Sequence, residues 1–425
     1  MNQPAQVAPP TVRDFNPFDF MSLYRGIKDK GSAWLGIVGL VIIALIVIPN
    51  LADGTFGTIH DLHLWSDIQR PFGATELPTS QPYFPLMRDV TTWFLAFTTI
   101  SGTILLHQQW TYLSTCLSRL MANGAIVPLS KPRSNMLSRI LRIDAMTKGV
   151  PPADALNVAV GKVMDGLERK RRILFAALGV ISIVLALLLQ AGQQNDLFET
   201  FAPPSETLAQ NHAWLVAAYQ NWWASDAHLF AHIVYTILAI YAILIILHFE
   251  VVGIIAIYMT VVVYFTVDFS ADWLNLDGRF GWSPIARTFR TVLWANALLG
   301  GTLAVVLMSI GFSNYRWVSA LVVLYAIFMP LFTLVPWLVF RRVENQARQL
   351  RVDRVAEVIK QRGLDIHRDI QEIAPYLAEI TRCRAIRIRP LRMGTASLST
   401  YAAVVILPIV LAAAQIVVPL RYSLK

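Results

Sequence analysis

The stretch ILHFEVVG, residues 246–253, sets His248 and Glu250 inside an apolar run that extends from 229 to 267. Two readings compete for that run. It is either two membrane crossings joined by a charged hairpin or one helix much longer than a bilayer is thick. The choice fixes the topology, because every later loop changes sides with it.

The rest of the chain supplies the frame for this choice. Its 425 residues are 55% hydrophobic and only 15% charged, against about 25% charged in ordinary soluble domains. Mean hydropathy is +0.51. Apolar runs at 33–52, 90–110, 173–192, 229–267, 291–312, 318–340 and 398–419 reach the roughly 20 residues that a spanning helix needs. A transmembrane barrel would instead show alternating segments of about ten residues. The first run follows 32 mostly polar residues and lacks a small-residue cleavage site, so it reads as an uncleaved anchor. Cys116 and Cys383, the two cysteines, make no disulfide framework.

Cytoplasmic loops hold an excess of Lys and Arg, which lets each topology be scored. With the N-terminus inside, one crossing over 229–267 gives seven spans, with 31 basic residues inward and 5 outward. Two crossings give eight spans and 18 basic residues on each side. The single crossing is favoured, and the re-entrant hairpin turning at His248–Glu250 stands as the alternative. The net charge of +9 then follows from loop orientation, and no nucleic-acid partner is expected.

A helix over 229–267 would be about 58 Å long, nearly twice the hydrocarbon thickness of about 30 Å. His248 and Glu250 would sit at the inner headgroup level, where a charge costs less than at midplane. Arg287 and Arg290 would join them as inner-interface charges. Residues 251–267, VVGIIAIYMTVVVYFTV, would then project into the cytoplasm while apolar on every side, and such a helix must be buried. Amphipathic continuations of the neighbouring spans are candidates to cover it. Ala155, Leu156, Val158, Val160, Val163, Met164 and Leu167 form one stripe, and Val343, Ala347, Leu350 and Val358 form another, broken by Arg354. Each covers part of the circumference, so copies from other subunits or a partner are expected to close around the rest.

The expected organisation is all-α with seven transmembrane helices, N-terminus in and C-terminus out. A cytoplasmic, interfacial segment (1–32) precedes spans one and two with their external loop (33–110). A cytoplasmic helical loop (111–172) leads to span three, an external loop and the long span four (173–267). A cytoplasmic turn with spans five and six (268–340), a cytoplasmic helical anchor (341–396) and a final span with an external tail (397–425) follow.

The last span reads LSTYAAVVILPIVLAAAQIVV. Ser399, Thr400, Tyr401 and Gln415 place polar groups at its two ends, and Pro408 can kink its centre. Thr400-Tyr401 matches a pair found in the last helix of gustatory receptors, with Leu407-Pro408 standing where that family has Gln-Phe. With seven spans, this orientation and helices extended below the membrane, the chain resembles seven-transmembrane ion channels of the insect odorant and gustatory receptor type. The resemblance implies a homo-oligomer, a last helix that lines a pore, and a cytoplasmic anchor that holds subunits together. Ser399, Thr400, Tyr401, Pro408 and Gln415 are accordingly the candidate pore-lining residues.

Other constellations are weaker. His60, His63, His228 and His232 fall in or beside external loops, and the last two share a helix face. They would hold zinc only with a fixed third ligand, so they are read as loop and helix-end residues with no metal. Trp65, Trp214, Tyr219, Trp222 and Trp223 fit an external aromatic belt. Asp277-Gly278 reads as a tight turn and Pro284 as the first turn of a returning helix. No metalloprotease, P-loop or dinucleotide motif is present, so neither enzyme activity nor a cofactor is expected. The function classes that remain are an oligomeric stimulus- or ligand-gated channel, a membrane-embedded sensor or scaffold subunit, and a transporter. The plasma membrane, or the inner membrane of a bacterium, is the expected location.

Overall fold

The computed structural model describes residues 31–58, 82–129, 133–194, 207–273, 275, 277–310, 316–364, 368–385, 399 and 402–414. In chain order these form α1 (Gly31–Ala52), α2 (Val90–Ser114), α3 (Cys116–Ala122), β1 (Ile126–Pro128), α4 (Met136–Ile140), α5 (Ile143–Thr147) and α6 (Ala155–Gly192). There follow α7 (Leu208–Gln220), α8 (Leu229–Thr266), β2 (Val267–Phe269), α9 (Ser283–Ile310), α10 (Arg316–Gln361), α11 (Ile370–Ala385) and α12 (Ala402–Ala414).

The stretch 246–253 lies in the middle of α8, which runs unbroken for 38 residues. No Pro, no turn and no polar cluster interrupts it. At 1.5 Å per residue it is about 57 Å long. Being apolar all round, it has to be surrounded, and it packs against α1, α2, α6, α9 and α10.

Its second half is covered within the chain. Val252 and Val262 are fully buried, as are Ile255, Ala256, Met259, Val263 and Phe265 to within a few per cent. Leu113, Cys116 and Leu120 of α2 and α3, Leu156, Val160 and Met164 of α6, and Phe340, Val343 and Ala347 of α10 join it in one apolar cluster. Ile143 and Ala159 close on Val262 and Phe265. The expectation that other subunits must complete this cover is therefore corrected. The continuations of α2 with α3, of α6 and of α10 close on this half of α8 together, and Ile254 is its exposed large side chain. Val358 is exposed and Val355 takes the buried place in the α10 stripe.

The fold also holds a small exception to an all-helical chain: β1 pairs antiparallel with β2, Ile126 opposite Phe269 and Pro128 opposite Val267. This ribbon stops α8. Arg133 donates to the carbonyls of Tyr264 (3.0 Å) and Val267 (3.1 Å) and pairs with Asp268, placing a cation at the negative end of the helix dipole.

The turn into α9 is built on Asp277. Its carboxylate accepts from the amides of Arg279 (2.8 Å), Gly281 (2.9 Å) and Ser283 (3.0 Å). Burial pushes this carboxyl up, and the backbone donors more than offset that, so it is held below the usual carboxylate range. Gly278 has φ +66°, the conformation a tight turn needs, and Pro284 opens the helix as its second residue.

Among the described residues five helices are long and apolar enough to cross a membrane: Val90–Ser114, Pro152–Gly192, Asp226–Thr266, Ser283–Met308 and Trp317–Gln361. Shorter apolar helices, Ile37–Ala52 and Ala402–Ala414, stand at the first and last apolar runs. Outward faces carry bare Leu40, Ile48, Ile173, Val180, Ile237 and Ile327, a surface suited to acyl chains rather than water. The chain is a mainly helical membrane protein.

Candidate functional site

Three helices turn an apolar stripe toward a common space. On α8 the stripe is Ile243, Ile246, Leu247, Glu250 and Ile254, spaced so that all lie on one helix face. On α9 it is Leu299, Thr302, Leu303 and Val306, and on α10 it runs from Trp317 through Tyr325 to Phe332. Leu185 and Leu189 of α6 and Leu95 of α2 complete a cavity of about 250 Å³. Its inner end is made by a close approach: a Cβ on Gly253 would stand 2.5 Å from the Phe332 ring. Ile254 and Leu324, both about half exposed, form a rim that opens sideways onto the outer surface of the bundle.

The polar groups of this wall are few. Thr302 donates to the Leu298 carbonyl at 2.8 Å and meets Thr98 at 3.1 Å. Tyr325 donates to the Val405 carbonyl at 2.9 Å. Among the described residues that line the cavity, Glu250 is the one that is charged. Its Oε1 is buried and accepts no hydrogen bond among the described residues.

The four expected inner-interface residues are thus divided. Arg287 and Arg290 are exposed. His248 has no exposed surface at all, and Glu250 faces the cavity, so both point into the bundle rather than to an open headgroup layer. The cause is local: Ile245, Phe249 and Val252 beside them are buried in one apolar cluster with residues of α2, α6, α9 and α10, and Ile254 is the exposed side chain of this stretch.

Of the candidate pore residues, Thr400, Tyr401 and Gln415 lie outside the described residues, and Ser399 is exposed. Pro408 is buried on the side of α12 that packs on the chain itself, with Leu411 and Ala412. The opposite face is Ile406, Leu407, Ile409 and Val410, all exposed and all apolar. Close packing of α12 depends on Gly300, where a Cβ would meet the Tyr325 hydroxyl at 2.5 Å and the Val404 carbonyl at 2.9 Å. Pro408, four residues on, has no N–H for that carbonyl.

At the N-terminal end of α2 stands a second buried carboxylate. Asp89 caps the helix by accepting from the Thr92 amide (3.0 Å) and hydroxyl (2.9 Å). Its Oδ2 also accepts the indole N–H groups of Trp222 (3.1 Å) and Trp223 (2.9 Å). Burial pushes the Asp89 carboxyl up, and these donors pull it partly back. Tyr235 packs edge-on to both indoles, 5.2 and 5.9 Å between centroids, and donates to Gln193. Trp222 and Trp223 are 1% and 0% exposed, so they form a core knot and not a lipid-facing belt. Trp214 keeps a partly open place, edge-on to Phe84, and Trp65 lies outside the described residues.

His60 and His63 also lie outside them. His232 contacts the Ala224 carbonyl at 3.0 Å and the Gln190 amide at 3.3 Å. Among the described residues no group of three His, Cys, Asp or Glu side chains is gathered as a metal would require.

Sequence reasoning found Glu250 but not the cavity, whose only trace is the helical spacing of large apolar residues in three separate runs. It missed Asp89, although an Asp directly before an apolar run is a helix-capping signal. No protein-family model, curated protein or solved structure matches the chain.

Proposed function

We propose that the chain is a seven-crossing membrane receptor for a small lipophilic molecule, with its N-terminus inside and its C-terminus outside. The orientation rests on the 31-to-5 division of basic residues, with α1 and α12 counted as crossings alongside the five long helices. The observation that carries the functional reading is the apolar cavity between α6, α8, α9 and α10, open at Ile254 and Leu324. At about 250 Å³ it is near the small end of ligand pockets, which run from about 300 Å³ upward, and well above the roughly 150 Å³ that accepts benzene. A ligand dissolved in the bilayer would reach it from the side.

An output through the last helix gives the channel reading of this receptor. Its support is Tyr325, which lines the cavity with its ring and holds the Val405 carbonyl with its hydroxyl. A ligand that shifts this ring would move α12.

The test is binding of tritiated octanol to the purified protein in nanodiscs, with empty nanodiscs as the blank. One saturable site is expected, lost in Leu303→Trp, which fills the cavity. Absence of saturable binding, or binding unchanged in Leu303→Trp, overturns the receptor reading. Octanol-dependent conductance in planar bilayers would separate a channel from a sensor without a pore.

A further inference from the structure

We infer that the ligand carries an ammonium group on a single apolar tail, with Glu250 as its counter-ion. This rests on the receptor reading and adds the chemical class of the ligand. A carboxylate within an apolar wall is costly unless it is paired, and charges inside a membrane bundle mark the sites of ions or ligands.

Among the described residues no polar group of the chain donates to Glu250 Oε1. The hydroxyls of Thr302 and Tyr325 donate elsewhere, to Leu298 and Val405. Among the described residues that line the cavity there is no Lys, Arg or His. An ammonium brings three donors and the opposite charge, whereas an alcohol brings one donor and no charge, and a carboxylate is repelled. The position of Glu250 also sets the pose. Ile243, Ile246 and Leu247 precede it on the same stripe, so an ammonium at Glu250 leaves its tail to run along α8 toward Leu303 and Val306. The volume suits one short tail and excludes a two-tailed lipid.

Titration calorimetry of the full-length protein in nanodiscs, with octylammonium, octanol and octanoate, tests this. Octylammonium is expected to bind about tenfold or more tighter than octanol, the ratio that one charge-assisted hydrogen bond supplies, with octanoate weakest. Glu250→Gln should remove that preference while octanol still binds, which also shows that the variant is folded. Should Glu250→Gln not fold, Glu250→Asp and the ranking of the three ligands on the parent protein decide the matter. Equal binding of octylammonium and octanol to the parent overturns the inference and leaves the receptor reading standing. So does a preference that survives in Glu250→Gln. Failure of all three ligands to bind overturns both. Dioleoylphosphatidylethanolamine added to the nanodiscs should not displace octylammonium, and displacement would overturn the single-tail assignment.

Discussion

Trp223 donates its indole N–H to Asp89 Oδ2 at 2.9 Å, joining residues 134 positions apart in the chain. With Trp222 and Thr92 it gives one buried carboxylate four donors, and so ties the loop before α8 to the cap of α2. A buried acceptor with several donors is stable while all are present, and losing one partner strands the others.

Asp89→Asn should therefore destabilise the protein by about 1–3 kcal/mol, since an amide nitrogen would face at least one of these donors. Trp223→Phe should cost a similar amount, and the double variant less than the sum. Thermal unfolding in one detergent, read as a double-mutant cycle, checks this. Additive effects would mean that the two groups do not depend on each other.

The approach of Phe332 to Gly253 leaves no room for a methyl group, since a Cβ would lie 2.5 Å from the ring. Gly253→Ala should cost about 1–3 kcal/mol through overpacking. Phe332→Leu in the same chain should recover most of the loss. A thermal shift that Phe332→Leu does not relieve would place the strain elsewhere.

Val262 has no exposed surface within the single chain. Val262→Asp should thus unfold the protomer itself, by at least about 3 kcal/mol, whatever its oligomeric state. Val234→Leu, at a half-buried position of the same helix, should cost under about 1.5 kcal/mol. Light scattering of a folded but dissociated Val262→Asp protein would show instead that the residue sits between subunits.

Asp277 is held below its ordinary pKa, which sets the sign of its pH dependence. A carboxyl with a depressed folded-state pKa stabilises above the unfolded value and loses that contribution as pH falls through the folded value. The turn at 277–283 should keep its protection at neutral pH and lose it in acid below the usual carboxylate range. In Asp277→Asn the amides of Arg279, Gly281 and Ser283 should exchange faster already at neutral pH. Hydrogen exchange on the peptide that spans them is the measurement.

Much of this architecture was legible because a membrane writes strong signals. The helix 229–267 was read as continuous from charge placement, and the structure has it unbroken from Leu229 to Thr266. The stripe of α6 was read from its spacing, and Leu156, Val160 and Met164 are indeed its buried line. What escaped was the partner of each face. Periodicity tells that Val262 must be covered but not how fully neighbouring helices close on it, so other subunits or a partner are expected to complete a cover that α2, α3, α5, α6 and α10 supply within the chain. Trp222 and Trp223 misled for a related reason. Tryptophans near a membrane surface suit a lipid belt, and only the fold brings Asp89 to their N–H groups. The cavity has no local signature, since its walls are stripes that read as ordinary core.

The account stands on α8 crossing the membrane once. In a chain with Cys116 and Cys383 replaced by Ser, single cysteines at Asn221, Arg287 and Arg362, all exposed, report the side of each loop to a membrane-impermeant maleimide on intact cells. Labelling at 221, with protection at 287 and 362 until the cells are opened, is the expected result. Labelling of 287 and 362 on intact cells together with 221 would put both ends of α8 on one side, and would contradict the single crossing.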